Sequence, residues 1–88
     1  MNKTIHIGKL IQAKMDADGR KAQWLANKLS CDRSNIYRIY QKQYIDIEQF
    51  IRICVILDID LFTYCSEYVL EQIQNKKNDY SDIEKRSA

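Results

Sequence analysis

Proline is absent from all 88 residues and glycine occurs only at Gly8 and Gly19. A sheet protein of this size needs many tight turns, and those turns draw heavily on both residue types. The chain is therefore expected to be all-α, with helices joined by short polar breaks. Its length suits one domain and is too short for two. A content of 45% hydrophobic and 30% charged residues fits a folded chain. The longest apolar run, Ile53-Cys54-Val55-Ile56-Leu57, falls far short of the roughly 20 residues a membrane span requires, so no membrane is expected among its partners. The opening Met1-Asn2-Lys3-Thr4-Ile5-His6 has neither the apolar stretch nor the small-residue cleavage site of a secretory signal, and a cytoplasmic protein is expected.

Apolar spacing divides the chain into five helical segments. The first runs from about Ile5 to Met15, with Ile7, Leu10, Ile11 and Met15 on one face and Thr4 placed to cap it. His6 is read as a surface or helix-start residue. After the break at Asp16-Ala17-Asp18-Gly19-Arg20 a second helix spans Lys21 to Leu29, with Leu25, Ala26 and Leu29 inward. Ser30-Cys31-Asp32 makes a tight connection, and the Asp32 side chain is expected to cap a third helix, Arg33 to about Tyr40, that buries Ile36 and Ile39. A fourth helix is expected from about Asp46 to Leu57, with Ile47, Phe50, Ile51, Cys54 and Leu57 inward. The fifth begins near Leu61 and reaches at least Val69, with Asn75 as the farthest end its spacing suggests. Residues 4–73 form the expected domain, and 74–88 a polar C-terminal tail, frayed or disordered.

Charge is distributed unevenly beneath a formal total of +2. Between positions 20 and 44, Arg20, Lys21, Lys28, Arg33, Arg38 and Lys42 face one acid, Asp32, for a net of +5. Between 45 and 71 the only base is Arg52, against Asp46, Glu48, Asp58, Asp60, Glu67 and Glu71, for a net of −5. A positive segment releases counterions from a polyanion such as nucleic acid, while the acidic half is held away from it. Cys31, Cys54 and Cys65 are odd in number, form no C-x-x-C pair and have only His6 as a nitrogen companion. They are read as small apolar side chains, with no metal site and no cofactor expected. One histidine, no glycine-rich phosphate loop and no evident carboxylate pair leave no catalytic arrangement, so the chain is not expected to be an enzyme.

The stretch from Lys21 to Tyr40 has the spacing of a helix-turn-helix. Two short helices crossing steeply need a small residue at the crossing, where Ala26 stands. Branched residues must lock the second helix on the first, as Ile36 and Ile39 do opposite Leu25 and Leu29. That packing leaves Arg33, Ser34, Asn35, Tyr37 and Arg38 outward. Arginine can grip guanine O6 and N7 and asparagine can grip adenine, so the set suits base-edge reading.

On these residues, positions 6 to 68 resemble a phage-repressor-like helix-turn-helix domain of the xenobiotic-response-element family, the Cro and lambdoid-repressor class. Leu25-Ala26, Leu29, Arg33-Ser34, Ile36 with Ile39, and the Asp46 to Leu61 segment followed by Phe62 carry the likeness. The resemblance implies a compact, lambda-repressor-like five-helix bundle with a central helix-turn-helix. Its third helix would enter the major groove of double-stranded DNA, with Arg33, Ser34, Asn35 and Arg38 at base-facing positions and Tyr37 alongside. It places backbone contacts at Lys21 and Ala22 and at Gln41 and Lys42, and Lys28 is counted with them. The sequence departs from that pattern at Ser30, where the family has a turn glycine, at Ala22, where it has a polar phosphate-gripping residue, and at Tyr40-Gln41-Lys42. Trp24, where a charged residue is usual, is expected to pack against helix 1 or a neighbouring subunit.

A sequence-specific, repressor-like regulator of transcription is the function these readings imply. One recognition helix reads few base pairs, so a homodimer on half-sites about 34 Å apart is expected. Leu61, Tyr64, Tyr68, Val69 and Ile73 of helix 5 are its candidate interface. The alternative is a protein-interaction module, such as an antitoxin-like partner docking through helix 5.

Overall fold

A computed structural model describes residues 4–79 and the side chains of residues 4–77. Five helices follow one another, α1 (Ile7–Ala17), α2 (Ala22–Leu29), α3 (Arg33–Gln41), α4 (Ile47–Leu57) and α5 (Phe62–Asp79), with no strand among the described residues. Ile11, Met15, Leu25, Ile36, Ile53 and Leu61 are the largest fully buried side chains, so all but α5 contribute directly to one core, joined by Leu61 just before it. Burying a side chain of this size contributes about 1.5–3 kcal/mol.

α1 starts two residues later than its spacing suggests. His6, not Thr4, is the N-cap: its backbone is extended, and its Nδ1 accepts the Lys9 N–H at 3.1 Å. Thr4 lies outside the first turn and cannot reach those amides. The two leading N–H groups of α1 are satisfied from far along the chain, Ile7 donating to the Gln43 carbonyl at 2.8 Å and Gly8 to that of Lys42 at 2.9 Å. A Cβ on Gly8 would overlap the carbonyl oxygens of Ile39, Tyr40 and Lys42, so this approach is open only to glycine.

α2 and α4 end in the same way. Ser30 and Asp58 both take left-handed backbone at φ 56°, and the next residue donates to a carbonyl five back, Cys31 to Ala26 at 3.0 Å and Ile59 to Cys54 at 3.1 Å. This closure usually places glycine at the left-handed position. α3 starts at Asp32 without the expected side-chain cap: the carboxylate makes no hydrogen bond to the helix, and the turn is held by Asn35 N–H donating to the Asp32 carbonyl at 3.0 Å.

The inward face of α4 differs from the expected one. Phe50, Ile53, Cys54 and Leu57 are buried, whereas Ile47 is 62% and Ile51 49% exposed. With branched or aromatic residues on nearly every side of the helix, periodicity alone permits two registers. Asp46 caps the helix by accepting Gln49 N–H at 2.8 Å, and the inward register is the one in which Phe50 packs against Phe62 of α5, the rings tilted by 43° with centroids 4.5 Å apart. α5 runs past the expected end of the domain, through residues 74–79; residues 80–88 of the expected tail lie outside the described residues. Among its described side chains none is fully buried, and Phe62, Cys65, Tyr68 and Gln72 form a half-buried stripe.

Candidate nucleic-acid interface

α3 owes its orientation to both of its neighbours. Ile36, Ile39 and Tyr40 are buried, and the helix packs chiefly on α2 and α1. Ala26 is fully buried, as a close α2–α3 crossing requires. The C-terminal end of α3 is tied by the Lys42 and Gln43 carbonyls to the start of α1. Gly8 therefore belongs to the site although it offers a partner nothing, and only a long-range approach of backbone to backbone reveals it.

With that face fixed, Arg33, Ser34, Tyr37 and Arg38 stand exposed and Asn35 is half-buried. Arg38 Nη1 donates to Asn35 Oδ1 at 3.3 Å, which aligns the two side chains one turn apart. The ion pairs found among the described residues join Lys14 and Arg20 to Asp18 and Arg52 to Glu48, so neither arginine of α3 is neutralised there. Tyr37 is 51% exposed and meets Tyr40 edge-on with centroids 6.1 Å apart. Burial, then the charges of Asp16 and Tyr37, push the Tyr40 hydroxyl above the usual phenol range. Tyr40 is accordingly a neutral packing residue at physiological pH.

The expected backbone-contacting positions divide by exposure. Lys21, Lys28, Gln41 and Lys42 are exposed, whereas the Ala22 side chain is buried. Ala22 can offer only its main chain, at the partially positive start of α2. Trp24 is half-buried against the core. The Arg20 guanidinium lies 3.9 Å from its ring centroid and the Lys28 ammonium 5.6 Å from it, within cation–π range. Arg20 also reaches Asp18 at 4.0 Å and is thus partly engaged within the chain.

The five candidate interface residues of helix 5 separate as well. Leu61 is 1% exposed and completes the monomer core, so it is withdrawn from any interface between copies. Tyr64, Val69 and Ile73 are exposed, joined by Leu70 at 63%, and Tyr68 is half-buried. The three cysteines are free, and burial raises the thiols of Cys54 and Cys65 above their ordinary value, which favours the protonated form. No family model matches the chain, and neither a curated protein nor a solved structure matches it.

Proposed function

We propose that the chain is a sequence-specific DNA-binding regulator of transcription. On this reading it is a cytoplasmic, lambda-repressor-like five-helix bundle that acts by occupying operator DNA rather than by catalysis, with α3 in the major groove. The observation that carries this is the division of α3. Its Ile36, Ile39 and Tyr40 are buried, and its Arg33, Ser34, Tyr37 and Arg38 face solvent with no acidic residue anywhere on the helix. Arg38 and Asn35, already hydrogen-bonded to each other, are the side chains best suited to a guanine and an adjacent adenine. Lys21, Lys28, Gln41 and Lys42 supply sequence-independent phosphate contacts.

Half-site reading calls for a homodimer, and Tyr64, Val69, Leu70 and Ile73 on α5 form the face assigned to it. That α5 face, and separately the exposed Ile47, Ile51 and Val55 along α4, favour a second reading in which the chain docks another protein in the manner of an antitoxin.

Selection from random-sequence duplexes, followed by titration of the recovered site, separates the readings. Under the first, Arg38→Ala costs about 1–3 kcal/mol and relaxes preference at one base position, while Lys42→Ala weakens all sequences alike and flattens the salt dependence. Binding by Arg33→Ala and Arg38→Ala at wild-type strength to the selected site would overturn the groove assignment.

A further inference from the structure

The one base in the acidic half of the chain, Arg52, does not stand among the acids. It lines a cleft of about 220 Å³ between α3 and α4, together with Asn35, Arg38, Lys42 and Gln49. Three cations line it, Arg38 on α3, Lys42 just after that helix and Arg52 on α4, and no carboxylate is among the lining residues. Glu48 reaches Arg52 only at 4.0 Å, through side chains that are 84% and 60% exposed, so that pair is weak and easily exchanged. Arg38 is held toward the cleft wall by Asn35, and Gln49 adds an amide from the first turn of α4.

We propose that this cleft is a seat for one phosphate group, with Arg52 as the cation that α4 contributes to it. Resting on the DNA reading, the group is a backbone phosphate flanking the bases under α3. The seat fixes how deeply the helix enters the groove, because Lys42 after α3 and Arg52 on α4 line it together while Arg38 beside them stays with the base edge. The ligand chemistry is that of a tetrahedral oxyanion. Guanidinium groups bind such anions through paired N–H donors, which makes the role one that arginine fills better than lysine.

The test compares wild type, Arg52→Gln and Arg52→Lys on a random-sequence duplex across a salt series, with inorganic phosphate as a separate probe. The exposed Arg52 side chain leaves the fold intact on substitution, which matching thermal melts verify. Arg52→Gln is expected to bind the duplex roughly tenfold more weakly irrespective of sequence, with the slope of log K against log salt shallower by about one. Arg52→Lys is expected to keep the slope and lose part of the affinity. In the second arm, inorganic phosphate at constant ionic strength shifts the Gln49 side-chain amide resonances of wild type and leaves those of Arg52→Gln in place.

If Arg52→Gln binds duplex like wild type while Arg38→Ala does not, the seat is wrong and the DNA reading stands. If duplex binding is absent but phosphate still moves Gln49, the seat stands as a site for a free oxyanion and the DNA reading falls. No phosphate response together with an unchanged salt slope overturns the proposal.

Discussion

Ser30 holds φ 56° and ψ 47°, a conformation in which an L side chain crowds the following carbonyl at a cost of about 1–2 kcal/mol. Glycine avoids that crowding. Ser30→Gly is expected to raise stability by about 1 kcal/mol, seen as a melting temperature higher by about 4–8 °C, with the α2–α3 angle and any DNA affinity unchanged. An unaltered or lower melt would mean that the Ser30 hydroxyl makes a compensating contact. The sequence flagged this position, because a serine stood where the helix-turn-helix pattern has glycine. The structure keeps the turn and accepts the strain. Gly8 shows the opposite case: nothing around it in sequence marks it out, since what forbids a side chain there is backbone more than 30 residues away.

At the scale of helices, the junction of α1 with the end of α3 is what holds the exposed side chains of α3 in place. Gly8→Ala forces the Ile39, Tyr40 and Lys42 carbonyls back and strains two hydrogen bonds, so it is expected to cost about 1–3 kcal/mol, measured by denaturant titration. The loss should be accompanied by early hydrogen exchange at the Ile7 and Gly8 amides. An exchange pattern matching wild type would show that the two elements are not coupled there.

Helix order and approximate span were legible from apolar spacing because α1, α2 and α3 each present one face. The span of α4 was legible too, but its inward face was not, because Ile47, Ile51 and Val55 make as good a stripe as Phe50, Ile53, Cys54 and Leu57. Only packing chooses between them, through the ring contact from Phe50 to Phe62. Asp32 carries a similar lesson: a residue type suited to capping stands at the N-cap position, yet the main chain does the work.

Across the molecule, a basic stretch centred on α2 and α3 precedes an acidic one that holds α4 and most of α5, and this division was readable from sequence alone. Which apolar side chains would be left without partners was readable only in part: on α5 Tyr64, Val69 and Ile73, named as surplus to the core, stand exposed, whereas Leu61 is taken up by the core and Ile47 and Ile51, expected inward, face out. Val69 and Ile73 remain 51% and 44% exposed. Under the dimer reading, sedimentation at rising concentration should approach twice the mass of one chain. Val69→Glu combined with Ile73→Glu should hold it monomeric at an unchanged melting temperature. Dimerisation that survives this pair of changes would move the interface to the Ile47, Ile51 and Val55 side of α4.

Trp24 is the single indole of the chain, and Arg20 and Lys28 sit at its ring. Nearby cations govern how brightly an indole emits. Under the DNA reading the molecule carries its own optical gauge: a phosphate that draws Lys28 off the ring is expected to change the emission, so that binding along α2 could be followed without attaching a dye.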